Sequence, residues 1–314
     1  MQVLVLAGGL SAERDVSLRS GRRVAEALRT ARPDWQVLER DVDASLLGEL
    51  AADAPDCVVP LLHGSAGEDG AVRDVLESLG LPYVGSRASA CRLAFDKPVA
   101  KTLVRRAGMS TPDAVALPHA TFRELGAPGV MAALERGIGF PLIVKPARGG
   151  SALGVSIVRA ASELPAAMVG AFAYGDVAML EGFVEGTEVA VGVVETADGP
   201  VALPAVEIVP DGGFYDYAAR YTAGTTEFHV PARLDPTVAA AAAATALTAH
   251  ETLGLRDWSR SDLIIDAAGT PWFLEVNVAP GMTETSLVPQ ALVAAGVDMG
   301  AQMAALVERA VARV

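Results

Sequence analysis

Residues 261–278 constrain the fold of this chain more tightly than any other segment. Two runs of β-branched, aromatic and aliphatic residues, 261–266 and 271–278, flank the turn-forming Ala267-Ala268-Gly269-Thr270, the pattern of a β-hairpin. With the arms antiparallel around a four-residue turn, Asp266 faces Pro271, Asp262 faces Glu275 and Arg260 faces Asn277. Opposed strand residues share a face and successive residues alternate, so Arg260, Asp262, Glu275 and Asn277 project to one side. Leu263, Ile265, Trp272 and Leu274 then project to the other. Three oxygen-bearing side chains and a guanidinium at one end of one face are costly to bury unless a cation and an anion meet them. Asp, Glu and Asn are hard oxygen donors of the kind Mg²⁺ selects, and a sparsely ligated Mg²⁺ commonly shares its shell with substrate phosphates. The face therefore reads as a one- or two-metal nucleotide site. The same residues also suit a solvated hairpin end with an ordinary ion pair between Arg260 and Asp262 or Glu275.

A second feature is Leu142-Ile143-Val144-Lys145-Pro146 followed by a loop with Gly149, Gly150 and Gly154. A lysine ending a buried strand, next to glycines that let backbone N–H groups approach an anion, suits phosphate binding. It is neither a Walker A sequence nor a dinucleotide fingerprint, and a flexible hairpin with a surface lysine has the same pattern. Two earlier loops, Gly8 to Arg14 and His63 to Gly70, follow predicted strands at 3–7 and 57–62. Ligands of open α/β sheets sit beyond the carboxyl ends of strands, so both loops are placed for a small zwitterion. Turn or capping roles for their Glu and His side chains fit equally well.

The remaining pattern alternates strands and helices. Helices are expected at 17–30, 46–52, 70–79, 96–107, 130–136, 163–171, 236–254 and 298–313, and strands at 114–117, 142–146, 155–158, 178–181, 189–195 and 201–209. The 314 residues, 51% of them hydrophobic, supply cores for two domains or a little more. A formal net charge of -13 offers no basic footprint for DNA or RNA. Cys57 and Cys91 read as buried thiols in a reducing compartment. The first apolar run stops at Gly8-Gly9 without a basic lead, as a strand does and a signal peptide does not. Apolar stretches at 238–255 and 291–311 are interrupted by polar and charged residues and do not suit a membrane span.

Taken in order, GGLSAERDVS, HGSAGEDG, DKPVAK, KPARGGSALG, LEGFVEGTEV, DYAARY, SRSDLII and EVNVAPGMTETSLVP make the chain resemble the D-alanine–D-alanine ligase family of the ATP-grasp superfamily, from residue 4 to about residue 290. The resemblance implies an α/β protein of three domains: a Rossmann-like parallel-sheet domain at 1–96, a central α+β ATP-grasp domain at 97–187, and a C-terminal α+β catalytic domain at 188–314. It implies that Lys97, Lys145 and Arg220 contact ATP phosphates, Glu181 the adenine amino group and Glu188 the ribose. Asp262, Glu275 and Asn277 would hold two Mg²⁺ ions, with Mn²⁺ able to substitute. Glu13 would anchor the ammonium of the first D-alanine, linked to Ser151 and Tyr221, and His63 would sit near the carboxylate being activated. Arg260 and the Gly281 N–H would form an oxyanion site, and Ser286 would bind the second D-alanine's carboxylate. Residues 211–226, with Tyr215, Tyr217 and Tyr221, resemble a loop that closes over the site.

The implied reaction is ATP-dependent formation of D-alanyl-D-alanine for peptidoglycan precursors, by a cytoplasmic homodimer with no nucleic-acid or membrane partner. A ligase using D-lactate or D-serine second, or a silent ATP-binding regulator, are the alternatives; DYAARY favours the dipeptide over the ester. Three positions depart from the family pattern: Gly149 for an acidic residue, Ala152 for a serine and Arg220 for a lysine, where a planar fork replaces a point charge.

Overall fold

The computed structural model describes residues 1–213, 215 and 224–313. Its first sheet is parallel, with β1 (Gln2–Leu6) central between β2 (Gln36–Arg40) and β3 (Cys57–Pro60). The crossover helix α1 (Arg14–Ala31) buries Val24, Ala25 and Leu28 with Val3 and Val5 of β1. β2 is an edge strand carrying Gln36, Glu39 and Arg40, and this polar composition hides it from a search for apolar runs. The short helices α2 (Leu46–Ala52), α3 (Ser65–Glu68) and α4 (Ala71–Ser78) complete this region. The chain leaves β1 and β3 directly into the Gly8 and His63 loops, so both candidate substrate loops lie at carboxyl ends of parallel strands.

Helices α5 (Ala88–Phe95) and α6 (Lys97–Arg106) follow. Asp96 caps α6 by accepting the Val99 N–H at 3.2 Å, as its position before the helix predicts. Both helices pack away from the first sheet: Cys91, Ala94, Ala100 and Val104 share a core with Val191 and Phe273.

The second sheet is antiparallel, in the order β4 (Ala114–Pro118), β7 (Val177–Gly182), β5 (Leu142–Pro146), β6 (Ser156–Val158). Helices α7 (His119–Leu125), α8 (Ala127–Ile138) and α9 (Leu164–Phe172) accompany it, and α8 and α9 bury Val130, Leu134, Leu164 and Met168 against Leu142, Val144 and Leu180.

The third sheet has six antiparallel strands. β8 (Thr187–Thr196) lies between β10 (Val206–Pro210) and β12 (Trp258–Ile265), with β11 (Thr226–His229) and β13 (Pro271–Asn277) outside them and β9 (Gly199–Ala202) paired to β8. The strand expected over 201–209 is therefore two, broken beside Pro204, which has no N–H to give a ladder. Helix α10 (Pro236–Thr252) covers this sheet through Ala242, Ala246 and Ala249, and α11 (Leu287–Ala294) packs on β8 and β10. The last helix, α12 (Met299–Val311), starts at a capping Asp298 and returns to pack on α1 and β3. Among the described residues no single helix is long and apolar enough to cross a membrane. Cys57 and Cys91 are buried and free.

The hairpin matches its expected register at one end and departs at the other. Arg260 faces Asn277 and Asp262 faces Glu275, but Leu263 then faces Phe273 and Ile265, not Asp266, faces Pro271. A β-bulge at Leu274 absorbs the extra residue. Asp266 is drawn out of the ladder because its carboxylate accepts the N–H groups of Ala268 and Thr270, each at 2.9 Å, and the Trp272 indole N–H at 2.8 Å. Phe273 consequently joins Leu263 and Ile265 in the core, while Leu274 turns to the ligand side beside Glu275.

Candidate active site

Two cavities, of about 580 and 480 Å³, share a wall made by Lys97, Gly149, Gly150, Tyr215 and Glu275. The larger lies between the second and third sheets, lined by Lys145, Glu181, Glu188 and Asp262. The smaller lies between the first and third, lined by Glu13, His63, Arg260, Asn277, Gly281 and Ser286. Of the fifteen site residues expected from sequence, thirteen line one or both cavities; Arg220 and Tyr221 lie outside the described residues, as does Tyr217.

In the larger cavity the Glu181 carboxylate is held between two ammonium groups, Lys145 Nζ at 2.6 Å and Lys101 Nζ at 2.8 Å. Burial opposes the charge on Glu181, but the two lysines outweigh it and keep its carboxyl below the ordinary range. Burial likewise opposes the charge on Lys145, and Glu181 and Glu275 reverse that and raise its pKa. Lys101 is pushed down to about 8, by burial first and against the pull of Glu181. It also donates to Thr111 Oγ1 at 2.7 Å, which donates to the Phe273 carbonyl at 2.8 Å. Lys101 thus ties α6 and β7 to β13. Sequence reasoning missed it, although its place one helical turn after Lys97 puts the two on one face.

Where the cavities meet, Lys97 Nζ donates to the Gly149 carbonyl at 2.5 Å and lies 3.4 Å from Glu275. The first lysine of α6 therefore bridges the Gly-rich loop and the hairpin. Arg260 grips Asp262 in a fork, Nε to Oδ1 at 2.7 Å and Nη2 to Oδ2 at 2.9 Å. The ordinary ion pair is therefore present, but on the strand that separates the cavities: the guanidinium borders the smaller and the carboxylate the larger. Asn277 Oδ1 accepts the Ala279 N–H at 2.8 Å, which fixes the turn out of β13.

The smaller cavity is closed by ties between distant loops. Ser151 Oγ donates to Glu13 Oε1, joining the Gly-rich loop to the start of α1. Glu13 crowds Gly64, where a Cβ would stand 2.9 Å from Oε2 and where φ is +75°. His63 is buried with Nδ1 at 2.9 Å from the Ala279 carbonyl and Nε2 at 3.2 Å from Ser20 Oγ. A carbonyl only accepts, so Nδ1 carries the proton and Nε2 accepts from Ser20. Burial pushes its pKa down to about 4, so the ring is neutral near pH 7. Ser20 Oγ in turn accepts the Met282 N–H at 3.0 Å, and Arg23 Nη1 donates to the carbonyls of Met282 and Thr283 at 3.1 and 2.5 Å. His63 lines the cavity as expected, but both ring nitrogens are spent on holding residues 279–283 against α1. Ser286 Oγ accepts the Thr283 N–H at 3.0 Å, and a side chain at Gly281 would strike it at 2.7 Å.

Ser20, Arg23 and Glu68 are further residues that sequence reasoning did not single out. Glu68, in the HGSAGEDG segment, is buried in the smaller cavity and accepts the Gly64 N–H at 2.9 Å. Burial, then the neighbouring Glu13, pushes its carboxyl up to about 8.

Asp262 and Glu275 face one another across the hairpin and open on the same cavity. Among the described residues no three His, Cys, Asp or Glu groups cluster as a metal cage. Two carboxylates and an amide fit an ion that takes the rest of its shell from phosphate and water, as Mg²⁺ does.

The family model described as D-ala D-ala ligase C-terminus matches residues 103–308. The D-alanine–D-alanine ligase of Anaeromyxobacter dehalogenans (strain 2CP-C) is 43% identical over 298 residues, 95% of this chain and 92% of that protein. That of Moorella thermoacetica is 41% identical, covering 95% of each. The D-alanine–D-alanine ligase of Bacillus anthracis, solved in complex with ATP, superposes with a TM-score of 0.79 at 27% identity, covering 100% of this chain and 97% of the other. The VanG D-Ala:D-Ser ligase of Enterococcus faecalis superposes with a TM-score of 0.85 at 28% identity, covering 98% and 99%. The α/β fold has the expected ATP-grasp architecture, and the chain belongs to the D-alanine–D-alanine ligase family.

Proposed function

We propose that this protein joins two D-alanine molecules into D-alanyl-D-alanine through an acyl-phosphate intermediate, with cleavage of ATP to ADP and phosphate, supplying peptidoglycan precursors. The observation that carries the reading is the meeting of two cavities at Lys97 and Glu275, so that a phosphate in one reaches a carboxylate in the other. A carboxylate oxygen of the first D-alanine attacks the γ-phosphorus, and the bond to ADP breaks. The amine of the second D-alanine then attacks the acyl carbon, the C–O bond to phosphate breaks, and the amine loses a proton. Such phosphoryl transfer needs positioning and charge neutralisation more than a protein nucleophile.

In this reading Lys97, Lys145 and Arg220 hold ATP phosphates, Glu181 meets the adenine amino group and Glu188 the ribose. Asp262, Glu275 and Asn277 hold two Mg²⁺ ions, with Mn²⁺ able to substitute, which supply neutralisation of the ATP charge. Glu13, with Ser151 and Tyr221, receives the first ammonium. His63 stands beside the carboxylate being activated and holds the 279–283 loop, so the Gly281 N–H and Arg260 face the developing oxyanion. Ser286 receives the second carboxylate. The Arg260–Asp262 fork supports the oxyanion role, because it fixes the guanidinium plane while leaving other N–H groups for substrate.

The three sheets support a division into 1–96, 97–187 and 188–314, and a cytoplasmic homodimer completes the proposal. Identities of 41–43% to D-alanine–D-alanine ligases over 95% of the chain support D-alanine as second substrate. Phosphate release measured with D-alanine alone, then with D-serine or D-lactate added as acceptor, tests this. D-Alanine alone is expected to sustain full turnover. Phosphate release only with D-lactate, or none with any acceptor, overturns the reading.

A further inference from the structure

We propose that a halide-sized anion binds in the buried junction between Arg73 of α4, Trp258 of β12 and Gly85. Arg73 and Trp258 are each 1% exposed. Arg73 Nη1 donates to the Gly67 carbonyl, but Arg73 Nε and Nη2 and Trp258 Nε1 have no hydrogen-bond partner among the described residues. These three nitrogens converge. A methyl group placed on Gly85, where φ is +109°, would have as its nearest neighbours Arg73 Nη2 at 3.4 Å, Arg73 Nε at 3.7 Å and Trp258 Nε1 at 3.8 Å. Gly85 is thus faced by three N–H donors with no acceptor of their own among the described residues.

The charge balance selects an anion over a neutral acceptor. Arg73 makes no ion pair within 4.0 Å among the described residues. Asp257, whose Oδ2 accepts the Gly85 N–H at 2.6 Å, is already gripped by Arg313 at 2.7 and 2.8 Å. Glu77 accepts the Tyr83 hydroxyl at 2.5 Å, while Arg256 brings another guanidinium over the Tyr83 ring and donates to the Gly85 carbonyl at 2.6 Å. Asp257 and Glu77 are thus engaged by other partners, Arg73 is left without a counter-charge of its own, and a buried guanidinium in that state is costly. A water molecule has two lone pairs for three donors and no charge; a halide accepts from all three and supplies the missing charge.

The site has structural leverage. Arg73 is bonded to Gly67 in the segment that carries His63 and Glu68, and Trp258 begins the strand that carries Arg260 and Asp262. An anion bridging them fastens the first sheet's substrate loop to the hairpin strand. This inference does not depend on which acceptor the enzyme uses, and its test needs no turnover.

The test titrates the full chain with sodium bromide against sodium gluconate at constant ionic strength. Bromide quenches indole fluorescence on contact, so a saturable quenching component is expected, together with a rise in Tm of roughly 2–4 °C. Trp258→Phe should remove the saturable component and leave only linear collisional quenching of Trp35 and Trp272. Arg73→Gln should abolish the Tm response, and a bromide-soaked crystal should show an anomalous peak between Arg73 and Trp258. Linear quenching identical in wild type and Trp258→Phe, or a Tm indifferent to exchanging gluconate for bromide, overturns the proposal. So does a water at the junction with no anomalous signal. Should Arg73→Gln fail to fold, the wild-type and Trp258→Phe titrations still decide.

Discussion

The larger cavity is built from strand faces, whereas the smaller is built from loops held by ties across the chain. In the larger, Glu181, Glu188, Asp262 and Glu275 stand on β7, β8, β12 and β13, and the ladder register sets where each carboxylate points. In the smaller, Glu13, His63, Gly281 and Ser286 come from loops or element ends whose positions depend on Ser20, Arg23 and Ser151. A ladder shares its load among many bonds, so deleting one side chain there removes a charge and leaves its neighbours in place. A tie is one or two bonds, so deleting it moves a wall.

The largest effect is expected where the two cavities join. Glu275→Ala removes a carboxylate that borders both and lies 3.4 Å from Lys97, and ADP release in a coupled assay should fall below detection with Tm nearly unchanged. Undiminished release would remove Glu275 from the reacting centre. Next comes Arg260→Ala, expected to lower turnover by roughly 10² to 10³, the scale for losing one oxyanion donor. It also leaves Asp262 without its partner, so nucleotide affinity, measured separately by equilibrium titration, should shift far less than turnover. A variant that binds nucleotide weakly but turns over normally at saturation would reverse the assignment.

The same contrast governs which features are legible in the amino-acid sequence. The register pairs Arg260 with Asn277 and Asp262 with Glu275 can be read there because alternation in a ladder is a local rule. The bulge at Leu274 is not, since it follows from Asp266 preferring the N–H groups of its own loop to the ladder. β2 escapes because an edge strand need not be apolar. His63 is visible as a cavity residue, but its engagement by Ala279, 216 positions away, is set only when the first and third sheets meet. The packing of α12 on α1 is equally remote from any local pattern. The ordered set of motifs is nevertheless enough to point to the family, and those within the described residues supply side chains that line the cavities.

Arg23→Met tests a tie directly. It removes the bonds to the Met282 and Thr283 carbonyls, and the loop bearing Gly281 and Ser286 loses its anchor to α1. A displacement on the scale of 1 Å is enough to cost about 10- to 100-fold in kcat/KM for the second D-alanine. The KM for ATP should not change, because the larger cavity does not lean on Arg23. Equal losses for both substrates would mean that the two cavities are not mechanically separate.

The smallest effect concerns Glu68, where the tie is a carboxyl and the lever is pH. Burial and then Glu13 push its pKa up to about 8, from 4.5 in the unfolded chain. A folded pKa above the unfolded one contributes stability that is fully present below about pH 4.5 and lost as pH rises through 8. Between those limits the fold keeps a proton that the unfolded chain releases, and each pH unit costs up to about 1.4 kcal/mol. Glutamine has the neutral shape without the proton, so Glu68→Gln should match wild type in Tm near pH 4.5 and exceed it by a few degrees near pH 8, with turnover at pH 7 within a few-fold. His63, pushed down to about 4 from 6.5, acts with the opposite sign: its stability is present above 6.5 and falls as pH drops toward 4. That contribution is common to both proteins and cancels in the difference. Scanning calorimetry at the two pH values reads the difference, and a gap between variant and wild type that does not widen with pH would mean that Glu68 is ionised in the fold, leaving Glu13 beside a second charge.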